Sequence, residues 1–209
     1  MNPKLRFWRR GRSISVFFVL VGVTVAVAVM QIGICAVAAA TPPKSVSPTA
    51  TNGTADNLIP VGSRNPAPDF TLTDVQGRTI TLSQYKGKVV LLDFWATTCG
   101  GCKVEIPWYV EFDRKYQRRG LALVGLDMYG ESPEVVKSFM AKSGMTYPVA
   151  IGTDALGDRF GVKEMPLTLL IDRTGRIALS HVGIVDRMKF EHDIQALLQQ
   201  QYITAAVPR

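Results

Sequence analysis

Val89-Val90-Leu91-Leu92-Asp93-Phe94-Trp95-Ala96-Thr97-Thr98-Cys99-Gly100-Gly101-Cys102-Lys103 is the stretch on which the reading of this chain turns. It opens with Val89 to Leu92, apolar and partly β-branched without polar alternation, the pattern of a strand buried on both faces. A brief loop leads to Cys99. From Lys103 to Arg119 the spacing becomes helical, with Val104, Trp108 and Phe112 expected on one face among charged residues. Two cysteines separated by two residues thus fall between a buried strand and a helix. The first sulfur lies near the helix N-terminus, where unpaired N–H groups and the helix dipole favour an anion. A thiolate is such an anion, so the pKa of Cys99 is expected to fall below the roughly 8.5 of a free thiol. Cys99 is therefore the expected nucleophile. Cys102, one turn further in, can attack the mixed disulfide that Cys99 forms.

Two other readings of the pair exist. A disulfide that closes so short a loop gains little as a staple, because the entropic benefit grows with the length closed. A zinc site needs two further ligands, and the only histidines, His181 and His192, stand singly in an expected strand and helix. Redox chemistry is the reading that the strand-to-helix setting favours.

Upstream, Asp69 to Tyr85 alternates around Asp74-Val75-Gln76-Gly77, with Phe70 and Leu72 before the turn and Ile80 and Leu82 after it, which reads as a hairpin. Residues 41–60 are rich in Thr, Pro, Ser, Ala and Asn without periodicity and are expected to form a flexible linker. Residues 14–40 are almost continuously apolar, lack the polar face of a core helix, and are expected to enter or cross a bilayer. Residues 1–13 carry Lys4, Arg6, Arg9, Arg10 and Arg12, which places that end in the cytoplasm and the rest of the chain outside it. The segment is either a retained anchor, as its length suggests, or a cleaved signal ending in Ala36-Val37-Ala38-Ala39-Ala40. The net charge of +7 owes much to these terminal residues. From Val61 onward 18 Lys and Arg face 16 Asp and Glu, so the charge gives no reason to expect a nucleic-acid partner.

Downstream, Leu121 to Leu126 reads as a second buried strand, and Ser132-Pro133-Glu134 as a capped helix start. Thr168 to Ile171 and Ile177 to His181 flank Asp172-Arg173-Thr174-Gly175-Arg176 as a hairpin, and Asp186 caps a final helix through Leu198. Residues 61–209 are thus expected to form one α/β domain, a mixed sheet flanked by helices.

The segment Asp93 to Lys103, with Pro107 five residues past the second cysteine, resembles the active-site segment of thioredoxins. Pro66-Ala67-Pro68-Asp69-Phe70, the hairpin and Glu105-Ile106-Pro107 are more similar to the membrane-anchored, extracytoplasmic TlpA/ResA-like redoxins. Met165-Pro166-Leu167-Thr168-Leu169-Leu170-Ile171-Asp172 resembles that family's cis-proline loop, and the likeness spans about Val61 to Leu198. It implies a thioredoxin-like fold with an N-terminal β-hairpin extension and a Cys99/Cys102 redox-active disulfide. It also implies a substrate surface formed by Met165, a cis Pro166 and Trp95. Asp93 is either solvated at a strand tip or buried, and the resemblance implies the buried state, in which it takes the proton of Cys102. Glu105 is either a similarly placed acid of this branch or a charge on a solvated helix face. Thr98 and Gly101 stand where thioredoxins carry Trp and Pro, so the redox potential does not transfer with the family.

The function so implied is an extracytoplasmic protein-disulfide reductase without a cofactor. A membrane thiol-disulfide donor would supply it, and oxidised exported proteins, apocytochrome c among them, would be its substrates. Two alternatives stand beside it. One is a peroxiredoxin-type thiol peroxidase, although Leu92 and Ala96 occupy the positions of that site's proline and threonine. The other is a copper chaperone using Cys99, Cys102 and His181.

Overall fold

The computed structural model describes residues 57–200. The basic terminus, residues 14–40 and most of the expected linker lie outside the described residues. No helix among the described residues is long and apolar enough to cross a membrane. The domain begins earlier than residue 61. Leu58 packs against the core, the Ile59 N–H donates to the Ala178 carbonyl at 2.8 Å, and Arg64 Nε donates to the Ile59 carbonyl. The last residues of the expected linker are therefore part of the fold.

A hairpin of β1 (Thr71–Thr73) and β2 (Thr79–Thr81) precedes the main sheet, with its turn held by Asp74, whose Oδ1 accepts the N–H groups of Gln76 and Arg78. Then come β3 (Val89–Trp95), α1 (Gly100–Tyr116), β4 (Leu121–Asp127), α2 (Pro133–Ser143), β5 (Val149–Ile151), α3 (Asp154–Phe160), β6 (Leu167–Ile171), β7 (Ile177–Val182) and α4 (Arg187–Gln199). The sheet order is β5-β4-β3-β6-β7, with β3, β4 and β5 parallel and β6 and β7 antiparallel. Every residue of β3 and β4 is buried, as their unbroken apolar runs require for central strands covered on both faces.

Alternate residues of β3 feed two cores. Val89, Leu91 and Trp95 pack with α1, α2 and α4, through Ile106, Phe112, Met140, Phe190 and Ile194. Val90, Leu92 and Phe94 pack on the opposite side with the hairpin and α3, through Phe70, Ile80 and Leu156. Asp93, lying between Leu91 and Trp95 in this alternation, faces α1. Strand β5 and helix α3 were not expected from the sequence. The β5 edge pairs with β4 over only three positions, too few for a period to show.

The buried face of α1 also departs from expectation. It comprises Cys102, Glu105, Ile106, Tyr109, Phe112, Asp113 and Tyr116, while Val104 is 46% exposed. Two acids and two tyrosines lie on the inward stripe, so apolar spacing alone picked out a neighbouring face. That rotation carries Glu105 inward, beneath the start of the helix.

Candidate active site

The β3–α1 loop ends in a turn in which the Cys99 N–H donates to the Ala96 carbonyl at 3.1 Å. Cys99 is the N-cap of α1, and its Sγ accepts the Cys102 N–H at 3.2 Å. A sulfur at this position meets the unpaired N–H end of a 17-residue helix. Cys99 and Cys102 are joined as a disulfide, with their Cα atoms 5.4 Å apart. Their exposures differ: Cys99 is partly exposed, whereas Cys102 is 1% exposed.

The Met165–Pro166 bond is cis, and the proline ring lies against the second glycine of the motif. A Cβ at Gly101 would stand 3.0 Å from Pro166 Cδ and 3.2 Å from Ile184 Cγ1. A glycine lets the helix start, the proline loop and Ile184 close together here, where a side chain would make the proline ring or Ile184 give by a few tenths of an ångström. The Gly183 N–H donates to the Pro166 carbonyl at 2.8 Å, tying the β7–α4 loop to the proline loop. Met165 is partly buried beside them, and Ile184 is 49% exposed.

Asp93 lies mid-strand, not at the tip of β3, and is 1% exposed. Its register partners are Thr168 on β6 and Gly125 on β4. Neither of its carboxyl oxygens has a hydrogen-bond partner. Burial holds this carboxyl well above the usual carboxylate range, and the charge of Glu105 adds to the rise. Glu105 is fully buried, with Oε1 accepting the Val185 N–H at 2.8 Å and Oε2 without a partner. Burial raises its pKa too, against the opposing pull of the Val185 N–H. One turn on, Tyr109 shares a 2.8 Å hydrogen bond with Thr168 Oγ1, and burial followed by the two carboxylates pushes its phenol well above the ordinary value. Two acids therefore lie buried where α1 meets the central strand, and among the described residues the one basic influence on either of them is the charge of His181, which pulls the Glu105 pKa down against its burial.

Trp95 does not join the substrate surface. It is fully buried, its ring packs on Phe139 of α2 with centroids 5.1 Å apart, and its Nε1 sits 2.9 Å from the position a Cβ would take at Gly125. On the strand pleat it faces inward like Asp93, and α2 covers it. His181 likewise stands apart from a ligand set, its Nε2 lying 3.3 Å from the Ile184 carbonyl. Among the described residues no group of three His, Cys, Asp or Glu could hold a metal ion.

Sequence reasoning missed Ile184, Tyr109 and the pair Thr97 and Glu131. Glu131 Oε2 accepts the Thr97 N–H at 3.2 Å, and its Oε1 accepts the Thr97 hydroxyl. The four-residue step from Glu105 to Tyr109 was a usable signal. Contacts from distant loops left none.

A redox-active cysteine pair at a helix N-terminus, a facing cis-proline and a mixed five-stranded sheet define a thioredoxin-like redox protein. The chain belongs to the AhpC/TSA family, whose model matches residues 63–180, and within it to the TlpA/ResA-like thiol-disulfide oxidoreductases. It is 32% identical over 145 residues to the thiol-disulfide oxidoreductase ResA of Geobacillus thermodenitrificans, covering 69% of this chain and 82% of the relative. To ResA of Bacillus subtilis it is 34% identical over 134 residues, covering 64% and 74% of the two chains. A thiol:disulfide interchange protein of the thioredoxin family from Chlorobium tepidum matches with a TM-score of 0.60 and 29% identity, over 65% of this chain and 97% of that one.

Proposed function

We propose that this oxidoreductase works as a reductase of protein disulfides outside the cytoplasm, tethered or delivered there by its N-terminal segment. The observation that carries the reading is the Cys99–Cys102 disulfide seated on the N-terminus of α1, with Glu105 buried three residues past Cys102 on the same helix and Asp93 buried on β3. In the reduced chain the Cys99 thiolate attacks one sulfur of a substrate disulfide, and the other substrate sulfur leaves as a thiolate. Cys102 then loses its proton to Asp93 and attacks Cys99 Sγ, expelling the second substrate sulfur. Two electrons pass to the substrate, whose disulfide becomes two thiols, and the Cys99–Cys102 bond re-forms. A membrane thiol-disulfide donor restores the dithiol. In this reading Met165 and Pro166 receive an extended substrate segment over Cys99, a role supported by the cis Met165–Pro166 loop, whose proline ring packs on Gly101.

The exported location rests on residues 14–40 and their basic flank. Oxidised exported proteins have need of a reductant in an oxidising compartment, and apocytochrome c is one candidate substrate. The test is Cys102→Ser in the full chain, purified from its native envelope under thiol-quenching conditions. The variant should accumulate mixed disulfides through Cys99 that dissolve in dithiothreitol and vanish when Cys99 is also replaced. A variant that traps nothing, or a Cys99/Cys102 potential near the roughly −120 mV of a strong oxidant, would overturn the reductase reading.

A further inference from the structure

The turn that carries Cys99 is held from outside the motif. Thr97 occupies the second position of the turn from Ala96 to Cys99, and Glu131 grips it at both its N–H and its hydroxyl. Glu131 is itself fixed, because its own N–H donates to Asp127 Oδ2 at 3.0 Å. Asp127 is fully buried at the end of β4, in register with Trp95 at the end of β3. A chain of hydrogen bonds therefore runs from the buried end of β4 to the turn that delivers the nucleophile.

We propose that Glu131, seated by Asp127, is a positioning residue for Cys99. Two acceptor oxygens on one residue fix both the place and the rotation of the turn, and with it the placement of Sγ over the first N–H groups of α1. The benefit of a helix N-terminus to an anion falls off within the first turn, so a displaced sulfur loses thiolate character. This rests on the reading of Cys99 as the nucleophile. Charge and position act with opposite signs here. The Glu131 carboxylate meets the turn two residues before Cys99, and Asp127 faces it with a carboxyl whose pKa is raised by burial and by the charge of Glu131. Removing the Glu131 charge does not disfavour the Cys99 thiolate, so a slower nucleophile after loss of Glu131 reports lost position.

The experiment uses the reduced full chain and the variants Glu131→Ala, Glu131→Gln and Thr97→Val. It measures the iodoacetamide alkylation rate of Cys99 against pH, with the site mapped by mass, and kcat and KM for reduction of 5,5′-dithiobis(2-nitrobenzoate). In Glu131→Ala the apparent pKa of Cys99 should rise, and at any pH below that pKa each unit of rise slows alkylation by up to about tenfold. Glu131→Gln keeps an oxygen for the Thr97 N–H and an amide to donate to the Thr97 hydroxyl, and should react at or above the wild-type rate. Thr97→Val loses one of the two bonds and should fall between. Melting of the oxidised forms, read alongside, separates unfolding from misplacement, and if Glu131→Ala does not fold, Thr97→Val carries the test. A Glu131→Ala or Thr97→Val profile equal to wild type, or a Glu131→Gln as slow as Glu131→Ala, overturns the proposal. A parent chain that alkylates rapidly at Cys99 but reduces no protein disulfide would sink the reductase reading and leave this one standing.

Discussion

Replacing Asp93 by Asn should make the oxidised chain more stable than wild type as the pH rises, and the size of the effect follows from burial. Asp93 is 1% exposed with both oxygens unpartnered, and its folded-state pKa is raised by burial first and by Glu105 second. Above its ordinary value of 3.8 the unfolded chain loses this proton while the folded chain keeps it. The contribution of the group to stability is therefore complete below that pH. It declines by about 1.4 kcal/mol per pH unit until the folded-state pKa is passed. Asn has nearly the same shape, leaves a similar unpaired polar group, and does not titrate. Each pH unit inside this window should thus widen the gap between the two stabilities by about 1.4 kcal/mol in favour of Asn. Glu105 is present in both proteins, so its own titration largely cancels in the difference. Urea unfolding of the oxidised forms at pH 3, 4, 5, 6, 7 and 8 measures it. Stability curves that run parallel across this range would refute the reasoning, because they would mean that Asp93 titrates alike in the folded and unfolded chains.

Two further substitutions test the packing around the site and the closure of the domain. Gly101→Ala places a methyl 3.0 Å from the Pro166 ring and 3.2 Å from Ile184, and should destabilise the oxidised chain by about 1–3 kcal/mol, part of it recovered by a second change of Ile184→Ala. Urea midpoints of the single and double variants measure that coupling, and a neutral Gly101→Ala would mean that the two loops are not packed on the motif. Arg64→Ala breaks a buried 2.9 Å pair with Asp172 and should cost about 3–5 kcal/mol at neutral pH, read by urea unfolding. The Asp172 pKa is lowered by hydrogen bonds from Thr174, Arg64 and Arg176 that outweigh its burial, so its stabilisation is present above the ordinary Asp value and is lost as the pH falls through the folded-state pKa. The deficit of the Arg64 variant should accordingly narrow in acid, and a deficit constant with pH would remove the ion pair from the account.

What was legible in the sequence was whatever a short window could hold. β3 and β4 announced themselves as unbroken apolar runs, the hairpin turn at Asp172 to Arg176 as turn residues between strands, and the cysteine pair by its strand-to-helix setting. Asp93 stood out as an acid at the end of an apolar run, but its place inside β3 was visible only once Phe94 and Trp95 were seen to continue the strand. The inward face of α1 did not, because Glu105, Tyr109, Asp113 and Tyr116 on it look like surface residues until the sheet is known to lie beneath them. The Asn57–Pro60 boundary was hidden for the same reason, since its hydrogen bonds are made to β7 and α4, over a hundred positions away. Glu131 meets Thr97 across 34 positions, and no local pattern encodes such a contact. Trp95 was read from the motif it belongs to, and the pleat of β3 with the cover of α2 turned it inward.

The buried acids also bear on the order of events in the proposed cycle. In that cycle, forming the disulfide releases the proton of Cys102, which at 1% exposure has little direct access to water, and the proposed acceptor is the buried Asp93. A carboxylate of ordinary basicity is a poor acceptor for a thiol, whose free pKa is about 8.5. Burial narrows that gap, because it raises the carboxyl well above its usual range, and proton transfer is most effective when donor and acceptor approach one another in pKa. Glu105 strengthens the effect through its own charge, and it is held by the Val185 N–H, next in the chain to the Ile184 that packs on Gly101. The loop that closes over the motif thus also fixes the acid that tunes Asp93. A substrate that displaced Ile184 would act on both the packing against Gly101 and, through the neighbouring Val185 N–H, the acid that tunes the proposed proton acceptor.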